Sequence, residues 1–192
     1  MRLFEPFPKI PRLNRDCTIT EKIDGTNAGI HIGNRATHEI DDHVTVVLGD
    51  MIIWVSSRTR WIKPQDDNYG FSSWVVKNAD DLLKLGEGSH FGEWWGKGIQ
   101  CGYGLTERKF SLFNTSLWGD VKARPECCDV VPVLYEGPFS TLKTHEALHQ
   151  LKTQGSKAVP GWARPEGIIV FHHAGGQYFK ATCEKDESLK GK

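Results

Sequence analysis

Glu21-Lys22-Ile23-Asp24-Gly25-Thr26-Asn27 is the stretch on which the reading of this chain turns. A lysine is followed two residues later by a carboxylate, then by a glycine and an asparagine. Cys17-Thr18-Ile19-Thr20 precedes it and Ala28-Gly29-Ile30-His31-Ile32 follows, both alternating in polarity. Period-2 patterning on either side of Asp-Gly predicts two strands meeting at a tight turn. Such a hairpin sets Lys22 at the mouth of a sheet, where a partly buried amine can lose its proton and act as a nucleophile. The plainer alternative is an ordinary hairpin with a solvated lysine, since Asp-Gly turns are common.

Working outward, residues 1–14 carry three prolines and the apolar anchors Leu3, Phe4, Phe7 and Ile10, which predict an extended lead-in packed onto the domain. Val44–Leu48 and Met51–Ser57 read as strands, the second ending at Arg58 and Arg60, and residues 64–70 read as loop. Ser72 or Ser73 is placed to cap a helix running through Trp74, Val75, Ala79, Leu82 and Leu83 to Gly86. His90–Gly96 reads as a strand interrupted by glycines. A Gly-rich loop with Lys97, Gln100, Arg108 and Lys109 leads to the strand Phe110–Asn114. Asp129–Tyr135 is a further strand. Ser140 caps an amphipathic helix with Leu142, Ala147, Leu148 and Leu151 on one face, ending at Gly155. Gly167–Phe171 and Gln177–Ala181 close the domain, and the charged tail from Glu184 is expected to fray. With no internal repeat and no long linker, residues 1–192 read as one α+β domain of mainly antiparallel sheets with flanking helices.

Composition agrees. At 192 residues the chain fits one domain, and 39% hydrophobic content with seven Trp and nine Phe can build a core. Twenty Gly and nine Pro favour strands and loops over a helical bundle. Lys plus Arg equal Asp plus Glu at 24 each, so any nucleic-acid contact must come from a local basic face. The five cysteines have no metal-ligand spacing and read as reduced thiols. No apolar run approaches the roughly 20 residues that cross a bilayer, and the N-terminus has no signal-peptide core. A cytoplasmic protein is expected.

Charged residues that interrupt strand patterns carry the chemistry, because an ionised group near a core is costly unless used or paired. Lys22, Glu93, Glu166 and Lys180 qualify, each beside a glycine or at a strand end. Two lysines and two carboxylates suit a phosphate-bearing substrate with a divalent cation. Salt-bridged strand ends are the alternative. His172-His173 would face opposite sides of a strand and read as surface histidines. Trp94-Trp95 reads as split between core and surface. Gly96-Lys97-Gly98 lacks the spacing of a phosphate-binding P-loop.

Glu21–Asn27 resembles motif I of the covalent nucleotidyltransferases, the superfamily of polynucleotide ligases and mRNA capping enzymes. Asn27 in the last position resembles RNA ligases more than DNA ligases or capping enzymes. Ser57-Arg58-Thr59 is similar to motif Ia, and Phe91-Gly92-Glu93-Trp94-Trp95-Gly96 to motif III. Phe110-Ser111-Leu112-Phe113-Asn114 is similar to motif IIIa, Pro165–Val170 to motif IV and Tyr178-Phe179-Lys180-Ala181-Thr182 to motif V. Gly98-Ile99-Gln100 resembles the nick-sealing phage RNA ligases. The resemblance spans residues 21–182 and implies an ATP-grasp-like ligase core without an OB-fold domain.

It also implies roles. Lys22 would attack the α-phosphate of ATP and hold AMP as a phosphoramidate, with Asp24 in the same motif. Glu21 would contribute backbone contacts to adenine, Phe113 would stack on the ring, and Glu93 would bind the ribose. Asn27 and Arg58 would lie near the phosphates and the nucleic-acid ends. Glu166 would help bind Mg2+ or Mn2+, and Lys180 would neutralise the α-phosphate. The implied partner is RNA, as a nicked duplex or as strand ends, with DNA and an accessory protein as further candidates and no membrane. A DNA ligase core, or a nucleotide- or RNA-binding protein that no longer joins strands, are the competing readings. Two departures stand out. Thr182 occupies the place of a second motif V lysine, with Lys185 a poor substitute by register. Only 12 residues follow Lys180, so a bare core is expected, with weak, salt-sensitive nucleic-acid binding.

Overall fold

The computed structural model describes residues 3–63 and 65–184; the charged tail after Glu184, Lys185 included, lies outside the described residues. In chain order the strands are β1 (Asp16–Lys22), β2 (Thr26–Asn34), β3 (Val44–Leu48), β4 (Met51–Ser57), β5 (Trp61–Ile62), β6 (Gly88–Gly96), β7 (Arg108–Leu112), β8 (Cys128–Val130), β9 (Val133–Pro138), β10 (Gly167–His172) and β11 (Gln177–Thr182). The helices are α1 (Phe71–Lys77), α2 (Ala79–Leu82), α3 (Thr115–Trp118) and α4 (Thr141–Gln154). The chain divides into two compact units, Met1–Lys22 with Pro132–Lys192, and Ile23–Val131. Among the described residues, no helix is long and apolar enough to cross a membrane.

The first unit is a four-stranded antiparallel sheet in the order β11-β10-β1-β9. Alternation along β1 sends Cys17 and Ile19 to one face, where they meet Ile168 and Val170 of β10 and Ala147 and Leu151 of α4. Thr18, Thr20 and Lys22 take the opposite face. Helix α4 follows Ser140 and stops at Gly155, as expected, but the Ser140 side chain makes no capping bond. Its carbonyl instead accepts from Thr144 N–H. Leu142 is exposed rather than part of the apolar face, because it lies five residues, about 140° of helical turn, from Ala147.

The second unit is a seven-stranded sheet in the order β3-β4-β2-β6-β7-β8, with β5 beside β4. Its pairs are antiparallel except β7 with β8. Ala28, Ile30 and Ile32 of β2 face Phe71, Val75 and Leu82 from the helices in one buried cluster. Phe71 lies 5.3 Å from Trp94 and 5.2 Å from Phe110, centroid to centroid, in tilted pairs that add to simple burial.

The expected hairpin does not form. β1 pairs with β9 and β10, whereas β2 pairs with β4 and β6, so the two strands flanking Asp24-Gly25 belong to different sheets. A two-residue hairpin turn of the favoured types needs positive φ, and Ile23–Gly25 has none. Gly25 is required by crowding instead: a Cβ there would lie 2.6 Å from the Trp94 carbonyl oxygen and 2.7 Å from Trp95 Cβ.

Six further expectations are corrected. The single helix through residues 74–83 is two helices and a 3₁₀ turn (Leu83–Leu85), broken at Asn78, whose side-chain amide donates to Trp74 O at 2.8 Å. Asp67, not a serine, caps its start by accepting from the N–H groups of Ser72 and Ser73. Asp129–Tyr135 is two strands, β8 and β9, separated at Val131-Pro132, where proline removes a ladder donor. The apolar anchors of the lead-in are not packed: Leu3, Phe4, Phe7 and Ile10 are all exposed. Trp94 and Trp95 are both buried, because each satisfies its indole N–H, on Tyr69 O and Ser111 Oγ respectively. His172 is buried too, with Nε2 2.9 Å from Leu13 O and Nδ1 accepting from Gly175 N–H.

Candidate active site

In the first unit, β1 delivers Glu21 and Lys22 to opposite faces of the sheet. Glu21 is 1% exposed. Its Oε2 accepts from the backbone N–H of Lys157 at 2.8 Å and of Ala158 at 2.9 Å, and its own N–H donates to Pro132 O. Oε1 is buried without a hydrogen-bond partner. A buried carboxylate is tolerated where backbone donors hold it, so the loop 156–159 and the end of β1 are locked together.

Lys22 turns the other way. Its Nζ lies 2.5 Å from Glu166 Oε1, with the two side chains 23% and 29% exposed. The register explains the meeting: Lys22 is the Cα partner of Gly167, and Glu166 is the residue before it. Gly167 has φ +156, and a Cβ there would sit 2.1 Å from Ala181 O. Glycine is therefore needed to let β11 approach β10 beside Lys22. Glu166 Oε2 is buried and unpartnered. An orphaned carboxylate oxygen is a hard ligand suited to Mg2+ or Mn2+, so Glu166 fits a divalent cation. Lys180, on β11, pairs with Ile169, which pairs with Thr20 of β1. It thus occupies the row of the Lys22 face next to Lys22, and it is exposed.

In the second unit, Asn27 and Glu93 are Cα partners across β2 and β6, and Glu93 is the partner of Ser111 on β7. The three share the face opposite the Ala28–Ile30 core. Arg58 is one residue past Ser57, the partner of Ala28, and is exposed. Phe113 follows β7, half-buried, its N–H donating to Phe91 O at 2.9 Å. Asp24 is gripped by a loop: its N–H donates to the Tyr103 hydroxyl at 2.8 Å, and its Oδ2 accepts from Cys101 N–H at 3.3 Å.

Tyr103 is the residue sequence reasoning missed. It is buried, stands at φ 52, and its ring meets Trp95 edge-on at 5.0 Å. A bulky non-glycine residue at positive φ is uncommon and marks a constrained position. The flanking glycines of Gly102-Tyr103-Gly104 were the available signal. Arg108, which the sequence reads as loop, opens β7 and bridges, donating to Lys97 O and Tyr69 O. Among the described residues, one cluster of three has metal-ligand geometry, Asp41, Asp42 and His43. Its carboxylates are exposed and already engaged by Lys63 and His43.

The family model described as RNA ligase matches residues 15–184. The chain belongs to the RNA ligase family. Solved structures agree at the level of fold. A Naegleria gruberi RNA ligase variant with ATP and Mn is 19% identical, with TM-score 0.57, over 90% of this chain and 51% of that one. A second variant of the same ligase with ATP and Mn is 18% identical at TM-score 0.57, over 90% and 51%. The same ligase with PPi is 19% identical at TM-score 0.53, over 88% and 50%. This chain therefore spans about half the length of those ligases. No curated protein matches it in sequence. The α+β architecture of antiparallel sheets with few helices is that of a ligase nucleotidyltransferase core, and in the described residues neither sheet closes into a barrel.

Proposed function

We propose that this chain is an ATP-dependent RNA ligase working through a covalent lysyl-AMP, with residues 1–192 acting as one adenylyltransferase domain. The observation that carries this reading is the Lys22–Glu166 pair with its orphaned Oε2, set in a chain of the RNA ligase family. An amine attacks only when neutral. Glu166 Oε1, at 2.5 Å from Nζ, is positioned to take the proton as the amine attacks. Nζ then bonds to the α-phosphorus of ATP, the bond to the β-phosphate oxygen breaks, and pyrophosphate leaves. AMP passes next to an RNA 5′-phosphate, and attack by a 3′-hydroxyl joins the strands and releases AMP.

Lys180, in the neighbouring row of that face, offsets charge on the α-phosphate. Glu166 would hold a divalent ion, which would supply further charge neutralisation there. From the second unit, Glu93 serves the ribose, Phe113 the adenine ring, and Asn27 and Arg58 the phosphates and RNA ends, with Asp24 fixed by Tyr103 to hold the motif. Glu21 anchors the backbone beside the nucleophile. That the Naegleria ligase variants are solved with ATP and Mn supports these substrates. Incubation with α-labelled ATP and Mn2+ or Mg2+, chased with nicked RNA and nicked DNA duplexes, tests the reading. Label should become covalent and then transfer to RNA. A chain that binds ATP without trapping label would instead be a binding protein on this fold.

A further inference from the structure

The face that carries Lys22 has a second feature, two same-face steps away from it along β1. Tyr178, Phe171, Thr18 and Glu136 are successive Cα partners across β11, β10, β1 and β9. Tyr178 stacks on Phe171 with ring centroids 4.5 Å apart and planes at 28°. Phe171 in turn lies 5.2 Å from the His173 ring at 37°. His173 is tethered, with Nε2 2.8 Å from Thr18 Oγ1, and the Thr18 hydroxyl donates to Glu136 at 3.4 Å. The outermost ring, Tyr178, is 65% exposed on the edge strand of the described sheet. A large aromatic left open on an edge is a liability unless something covers it.

We propose that this stack is a platform for one unpaired nucleobase of the RNA strand handled at Lys22; the proposal rests on the ligase reading above. Residues two apart share a face, so Tyr178, Lys180 and Thr182 descend the same side of β11 at about 7 Å intervals. Thr18 and Lys22 are four residues apart on β1, about 13 Å. A base on the rings therefore has a cation, Lys180, between it and the nucleophile for the intervening phosphate. The platform row itself holds no Lys or Arg. It offers the exposed His173 ring and Glu136 carboxylate, held in place by the buried Thr18 hydroxyl, which suit the polar edge of a base and repel a phosphate. Bases inside a duplex are already stacked on both sides, so a protein ring takes an unpaired one. Every base has a π-face, so the platform is sequence-tolerant.

The test is fluorescence anisotropy of a 3′-labelled, 5′-phosphorylated single-stranded RNA and of the same strand in a blunt duplex, with the full chain. Tyr178→Ala should weaken single-strand binding about 5- to 100-fold, the scale of one base–aromatic stack, and duplex binding less than about twofold. Tyr178→Phe, which keeps the ring, should restore it. No single-strand binding by the unsubstituted chain, an unchanged affinity in Tyr178→Ala, or equal losses on both RNAs would overturn the platform. So would a change in oligomeric state on sedimentation without a change in RNA affinity, which would make the patch a protein interface. Trapping of α-labelled ATP by the unsubstituted chain reads the ligase mechanism separately: RNA binding through Tyr178 without trapped label would refute that mechanism and leave the platform standing.

Discussion

The two units differ in what their sheets bury and in what they display. Among the described residues, the first unit's core cluster has six buried apolar side chains shared between sheet and one helix, and the second has seventeen, including Phe71, Trp94 and Phe110. The small unit carries the close charge pair, Lys22 with Glu166, and a buried carboxylate, Glu21. The large one carries the candidates for shape recognition, Glu93 and Phe113. The Lys22–Glu166 pair survives cheaply because its desolvation is partial, and Glu21 because the backbone N–H groups of Lys157 and Ala158 hold it. A flat ring or sugar is better read from a sheet whose backbone is fixed by dense packing. The candidate nucleophile thus sits where structure can spare it.

The largest expected effect separates chemistry from stability. Lys22→Ala should abolish covalent labelling by α-labelled ATP while shifting stability by less than about 1 kcal/mol, since the pair it breaks is partly exposed. Denaturant midpoints alongside the labelling gel check both. Label retained in that variant would remove Lys22 as the nucleophile. The counterpart in the second unit is Trp94→Ala, which should cost about 3–5 kcal/mol of unfolding free energy, measured by denaturant unfolding. A mild effect there would mean that the second core does not depend on its aromatic cluster.

Element type was legible in the sequence wherever local periodicity decided it. Val44–Leu48 and Met51–Ser57 have the boundaries their patterns predict. Partnership was not legible. Alternation around Asp24-Gly25 is the same whether two strands pair or part, and only the crowding of Gly25 against Trp94 and Trp95 distinguishes the cases. Lys22 and Glu166 both read in the sequence as charges interrupting strands, yet their contact depends on a 144-residue separation closed by β1–β10 register. Tyr103 was invisible because its role comes from a positive φ and a hydroxyl aimed at Asp24 N–H, neither of which composition reveals. Trp94-Trp95 reads in the sequence as split between core and surface, because nothing there shows that Ser111 meets the Trp95 indole N–H and Tyr69 O that of Trp94.

Phe113 sharpens the contrast between reading shape and holding the fold. It lies beyond the end of β7 and is half-buried, outside the packed cluster. Phe113→Ala should weaken ATP binding by about 1–3 kcal/mol, the scale of one base–aromatic stack, whereas Phe113→Tyr should be nearly neutral. Titration calorimetry with ATP measures both. Identical behaviour of the two variants would make Phe113 a packing residue and move the adenine contact elsewhere.

The smallest effect concerns proton linkage in the second unit. His31 stands on the face of β2 opposite the core, its ring 4.7 Å from Trp61 and 5.6 Å from Phe91. Its two nitrogens each lie 2.8 Å from a serine hydroxyl, Ser89 and Ser56. Hydroxyls can donate or accept, so they satisfy the neutral ring in either tautomer. Burial first, and then the charge of neighbouring His90, hold the His31 pKa below its ordinary value of 6.5. Burial holds His90 below 6.5 as well. Above pH 6.5 both rings are neutral folded or unfolded, and this contribution to stability is fully present. Below it the unfolded chain takes up protons that the folded chain refuses, so stability falls until the folded rings titrate. Denaturant midpoints should therefore drop as pH is lowered from about 7.5 to about 5.5. His31→Asn, which cannot titrate, should show a shallower drop, and His31→Asn with His90→Asn a shallower one still. An unaltered slope in both variants would place the acid sensitivity outside this pair and sever it from the second unit's packed face.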